Sequence, residues 1–272
     1  DMYPFSEHPD SLVVEEKYLG NASLDSDHYH VLNKTYRTRF LSRLKIDETD
    51  NIYIYHFKLD SVFVLPVADV PLIAFVNPYG TYQPIPQTDY MIGFEINETV
   101  LPSEVIGNYY QNTYVFIGPG NPFITGKMER IEWTETDSTN FPKVEVQENL
   151  QNVLGRFEPV SYFKYSSGDF IYHVKNLGIR GGVGARQLVV LDKRDQQIEL
   201  NQLFFNSEGT DLLPLNGVEE NHGYDGFQYT GQLFRFKPRI VIGFYDVSFG
   251  CKRIHFISPN ESPIYIRCDN RH

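Results

Sequence analysis

The sequence predicts an all-β protein, mainly antiparallel and sandwich-like, built as one large domain or two packed β-domains with few short helices. Three observations predict it. Aromatic residues reach 15%, from 19 Tyr and 20 Phe against a single Trp. They fall in short runs rich in Val, Ile and Thr, which is strand composition. Gly, Pro, Asn and Asp separate the runs, and 272 residues suffice to bury a substantial core.

Residues 1–30 read as an irregular acidic arm, because the first 27 carry seven acids against one base, Lys17. A β-domain over 31–135 follows. In "TYRTRFLSRLKI", Tyr36, Phe40, Leu44 and Ile46 share one parity while Arg37, Arg39, Arg43 and Lys45 share the other, the period of a strand with one basic face. Tyr36, Phe40 and Leu44 also stand at helical spacing. "NIYIYHFKL", "SVFVLPV", "VPLIAFVNPYG", "DYMIGFEIN", "NTYVFIGPG" and "GKMERIEWTE" continue the strand series, and Pro66 and Pro71 put the second of these near a sheet edge or a bulge. "TDSTNFPK", 136–143, is the best linker, so a second β-domain is expected over 143–272. It opens with a short helix near Val146–Leu154, continues through "DFIYHVKNL", "RQLVVLD", "QQIEL", "YTGQLFRF" and "RIVIGFYDV", and ends in a hairpin.

That hairpin holds both cysteines. A four-residue loop at Ser258–Glu261 puts His255 opposite Ile264 and Cys251 opposite Cys268, where a disulfide can form and would favour an extracytoplasmic compartment. No stretch approaches the roughly 20 apolar residues of a membrane-spanning helix. The chain starts at Asp1 with no signal-like apolar segment after it, the look of a processed or trimmed chain.

A net charge of -11 opposes a nucleic-acid partner. "GIRGGVGAR", 178–186, has the glycines of a phosphate loop, but the third-glycine position of a dinucleotide fingerprint is Gln187 and no helix follows. It reads as a bulged strand connection, with Arg180 and Arg186 able to meet a carboxylate or sulfate. His28 and His30, two apart beside Asp25 and Asp27, are a weak metal pattern read as a surface loop. Glu219, Glu220, His222 and Asp225 are the densest set of proton-transferring groups; paired acids of this kind serve glycoside hydrolases, yet a hydrated loop explains them as well. No catalytic residue, metal or cofactor is assigned. Tyrosines among Pro, Gly and Asn are the binding candidates: Tyr79, Tyr82, Tyr109, Tyr110 and Tyr114, for a protein partner or for sugar rings. The four bases of 37–45 are expected to face the chain's own acids or water.

The turn-and-strand style of "YHFKLDSVFVLPVADVPLIAFVNPYG" and "YTGQLFRFKPRIVIGFYDVSFGC" resembles uncharacterised secreted or lipid-anchored envelope proteins of Bacteroidota, with no named family. Asp-Ser-apolar or Asp-Ser-Thr tripeptides at Ser11, Ser61 and Ser138 resemble the sequon at which those bacteria attach O-linked glycans. Four Asn-x-Ser/Thr sequons, at Asn21, Asn33, Asn97 and Asn260, would equally suit a eukaryotic secreted protein. The expectation is a non-catalytic extracytoplasmic accessory subunit of an envelope or cell-surface assembly, at the cell surface, outer-membrane-associated or secreted. A carbohydrate-binding module and a glycoside hydrolase are the other two readings.

Overall fold

The computed structural model describes residues 29–76, 90–96, 101–106, 112–144, 155–219, 226–248 and 250–267. The chain is dominated by antiparallel strands and divides into two compact units, 1–126 with 267–272, and 127–266. The division falls at Gly126, ahead of the 136–143 segment, which lies inside the second unit. Among the described residues no helix is long and apolar enough to cross a membrane.

Among its described residues the first unit has one substantial helix, and it occupies the segment expected to be a basic strand. Helix α1 spans Lys34–Leu44. Asn33 caps it by accepting the Tyr36 amide at 3.1 Å, and Lys45 closes it in the left-handed region with its amide on the Leu41 and Ser42 carbonyls. Tyr36, Phe40 and Leu41 enter the core. Both periods fit the apolar positions, and the caps decide for the helix by satisfying terminal backbone groups. The basic face dissolves with the strand. Arg37 turns inward and donates to the Val67 and Val70 carbonyls while pairing with Glu48, and Arg39 stacks on Tyr36.

The described residues of this unit also form two three-stranded sheets. One runs β3–β2–β6, from β2 (Asn51–His56), β3 (Ser61–Pro66) and β6 (Thr113–Gly118); the other runs β1–β4–β5, from β1 (Tyr29–Val31), β4 (Leu72–Val76) and β5 (Tyr90–Phe94). Pro66 ends the edge strand β3, where its missing N–H costs no ladder bond. Helix α2 is a single turn, Ser103–Ile106.

The second unit is a sandwich. A meander of β8 (Thr134–Thr136), β9 (Glu158–Ser167), β10 (Phe170–Ile179), β11 (Gly182–Asp192) and β12 (Ile198–Phe205) forms one five-stranded sheet. The other has the order β18–β17–β15–β14–β7, from β7 (Met128–Arg130), β14 (Tyr229–Gly231), β15 (Ile240–Ile242), β17 (Arg253–Phe256) and β18 (Ile264–Tyr265). Strands β13 (Thr210–Leu212) and β16 (Tyr245–Val247) form a small two-stranded sheet. Tyr172, Val174, Leu188 and Val190 from the first sheet share one core with Val241 from the second and Ile257 just after β17. Every residue of β11 from Gly184 to Asp192 is buried, so this strand is covered on both faces.

Two local readings change. Strand β9 was not expected; its turn to β10 is the two-residue Gly168-Asp169 loop, with Gly168 at φ 52°. The helix expected at 146–154 lies outside the described residues. The terminal hairpin pairs Ile254, not His255, with Ile264, a register shifted by one. The Ile257 amide donates to the Arg239 carbonyl at 2.7 Å, on the β15 side of the strand, and Pro263 has no N–H to extend the pairing with β17.

Gly243 shows how close the backbones come. It sits at φ 86°, and a Cβ there would lie 1.8 Å from the Phe227 carbonyl oxygen. Gly243→Ala should lower the stability of this unit by more than about 2 kcal/mol, whereas Gly181→Ala, at a positive φ with open space around it, should cost about 1 kcal/mol. Urea unfolding of the two variants checks the ranking.

Candidate functional site

The glycine-rich segment is a hairpin. Arg180 and Gly181 form the two-residue loop between β10 and β11, both at positive φ (51° and 86°), the backbone of a type I′ turn. Gly184 is required by packing, since a Cβ there would strike Phe157 and Ile179. Arg180 stays exposed at the tip, whereas Arg186 lies on the buried part of β11 with 1% of its surface accessible.

Burying a guanidinium demands a partner for every donor. Arg186 donates Nε to Asn176 Oδ1 at 2.8 Å, Nη1 to the Leu213 carbonyl at 2.6 Å and Nη2 to both oxygens of Glu219 at 3.0 and 2.9 Å. Glu219 also accepts Asn176 Nδ2 at 2.7 Å and the Leu215 amide at 2.8 Å. The carboxylate that Arg186 meets is therefore the chain's own. Glu219, one of four candidate proton-transfer groups, is committed to structure; Glu220, His222 and Asp225 lie outside the described residues.

Next to this pair, the buried side chains of Asn216 and Gln228 satisfy an irregular crossing of backbone. Asn216 donates to the Ile131 and Gln228 carbonyls and accepts the Phe227 amide. Gln228 donates to the Pro214 and Gly243 carbonyls and accepts the Asn216 amide.

Two surface features of the second unit can make contacts. The first is a cleft of about 360 Å³ beside β12, lined by Gln202–Phe205, Thr210, Tyr245, Val247, Gly250, Cys251, Arg253 and His255. Phe204 forms its floor, stacked on Phe244 at 5.1 Å and on Tyr245 at 5.5 Å, with His255 edge-on at 6.1 Å. Burial, reinforced by the Arg253 charge, holds the His255 imidazole below its usual pKa, so it is neutral at pH 7.

The second is the turn at Phe234–Lys237. The Lys237 amide donates to the Phe234 carbonyl, and Gln232 Nε2 donates to the Lys237 carbonyl at 3.1 Å. Phe234 packs on Phe256, and Lys237 pairs with Glu261 at 2.9 Å. Between them, Phe236 stands at φ 60° with 98% of its surface exposed. No other large apolar side chain among the described residues is so exposed.

Of the residues singled out in the sequence, Tyr79, Tyr82, Tyr109, Tyr110, Ser11, Cys268, His28, Asp25 and Asp27 lie outside the described residues, as does the Cys251–Cys268 pairing. Tyr114 is on strand β6, half-buried opposite Tyr55 and 6.2 Å from the Phe57 ring, rather than on a loop. Ser61 opens β3, and its neighbour Asp60 accepts the Tyr55 hydroxyl at 2.7 Å. Ser138 is exposed in a 3-10 turn capped by Asp137. Asn33 is a helix cap and Asn260 is exposed. His30 is buried on β1 against Tyr90, and among the described residues no group of three His, Cys, Asp or Glu could hold a metal. Phe236 was missed, though the turn "RFKPR" with an aromatic ahead of Lys-Pro was its signal.

No family model, no curated protein and no solved structure matches the chain.

Two tests follow from these polar groups. Arg186→Leu should destabilise the second unit by about 3–5 kcal/mol, because it strands Glu219 and Asn176. Adding Glu219→Leu should recover part of the loss, and Arg186→Lys, with no planar fork, should not substitute. Chemical denaturation of the three variants measures this. Burial also lowers the pKa of His56 and His173, with the Lys58 and Lys164 charges adding to it. His56 Nδ1 accepts the Leu59 amide, which fixes a neutral ring. With folded pKa values below the unfolded one, the stabilisation is complete above about pH 6.5 and is lost as the pH falls through it. The unfolding midpoint should be lower at pH 5.5 than at pH 7.5, and His173→Gln should shrink the difference.

Proposed function

We propose that the chain is a non-catalytic extracytoplasmic binding protein, an accessory subunit docked on a larger envelope or cell-surface assembly. The Phe236 turn carries this reading. Leaving a Phe side chain in water forgoes about 2–3 kcal/mol of burial, and the left-handed backbone costs a further ~1–2 kcal/mol relative to glycine. Both penalties stand at one position, held by the Gln232 and Phe234 contacts. A fully presented aromatic ring on a held backbone is what an interface anchor requires: it supplies contact area and has only two side-chain torsions to lose.

Ser138, exposed in a turn behind Asp137, is accessible for the glycan attachment that an extracytoplasmic location would bring. A Cys251–Cys268 bridge belongs to the same reading. The engagement of Glu219 with Arg186 counts against a glycosidase role for that acid.

Phe236→Gly separates docking from folding, because it removes the ring and relieves the backbone together. The variant should melt at the same temperature as the wild type or above it. Affinity purification from the native source should recover a larger membrane or surface protein in fixed ratio with the wild type, and at least tenfold less with the variant. Equal recovery would remove the turn from the interface.

A further inference from the structure

We infer that the cleft beside β12 is a binding site for an extended peptide segment of another protein, one that pairs with the β12 edge and places a carboxylate side chain near Arg253. Strand β12 has eight residues and, among the described residues, pairs with β11 alone. Successive residues of a strand point to opposite faces, so a wall made of the four consecutive residues Gln202–Phe205 is the strand's backbone edge itself. Such an edge offers unpaired N–H and C=O groups to an incoming strand. One of its carbonyls, that of Leu203, is occupied by the chain's own Gln202 amide at 2.8 Å, a side chain standing where a strand can pair.

The facing wall selects the ligand. Tyr245 and Val247 of β16, with Arg253 and His255 of β17, line the cleft. Alternation turns Asp246 away from it, where Asp246 pairs with Lys252 at 2.6 Å and stands opposite Asp211 of β13. The lining therefore contains one permanent cation and no carboxylate. The Tyr245 hydroxyl accepts the Arg253 amide at 3.0 Å and fixes the two relative to each other. Phe204, clamped between rings, gives a rigid apolar floor for the side chains that alternate with the acid. An extended segment with one apolar face and an Asp or Glu on it matches both the edge and the charge.

A library of hexapeptides randomised over Val, Ile, Thr, Phe, Asp and Lys, selected on the full chain, tests this. Enriched sequences should alternate apolar residues around one acid. The best of them should slow deuterium exchange at the amides of Leu203 and Phe205, which face away from β11. N-methylation of its alternate amides in one parity should weaken binding at least tenfold while the other parity is tolerated, and Arg253→Glu should weaken it by a similar factor. Phe236→Gly should leave it unchanged, which keeps this site separate from the docking turn. Failure to enrich any sequence over Arg253→Glu, protection mapped away from β12, or indifference to N-methylation throughout would overturn the inference.

Discussion

The second unit is organised by what a buried guanidinium needs. Arg186 sits on the strand that is covered on both faces, and the β-ladder cannot satisfy its side chain. Its donors reach Asn176 on the next strand and then Leu213 and Glu219, which draws the irregular 213–219 segment over the sheet. Once that segment is anchored, Asn216 lies where its amide can tie Ile131 to Gln228, and Gln228 in turn holds Gly243. Phe244 and Tyr245 follow directly, and they are the rings on which Phe204 stacks. The floor of the cleft is thus several polar contacts removed from Arg186 and dependent on each of them.

Strand β17 lines the cleft with one face and supports the exposed turn with the other. Arg253 and His255 look into the cleft, while Ile254 and Phe256 are buried on the other side, where Phe256 supports Phe234 beneath the exposed turn. Alternation makes one four-residue strand serve both. A change in its register would move both sets to the wrong face, and the Ile257 to Arg239 bond holds that register.

Most strands were legible because alternation and turn residues are local signals. The helix at 34–44 was not, since its apolar positions satisfy both periods and the decision rests on Asn33 and Lys45, whose capping bonds form only in three dimensions. Strand β9 was passed over at Pro159, although Val160, Tyr162, Phe163 and Tyr165 have strand composition and Gly168-Asp169 marked its turn. Arg186 read as a loop base because its partner Glu219 is 33 residues away. Phe236 escaped for the opposite reason: an aromatic residue in a strand-rich chain is ordinarily core, and exposure depends on a single backbone angle.

An eight-residue strand that pairs on one side only among the described residues is also a template for the protein's own copies. Exposed Asn201 and the Gln202 amide on the Leu203 carbonyl make that edge a poor match for itself. Long-range repulsion adds to this, because it grows with the product of the two net charges: two chains at -11 repel far more strongly than one such chain and a short segment with a single acid. The acidic composition, uninformative about the fold, thereby acts as a filter at this edge. The filter weakens as salt shortens the range over which charges are felt.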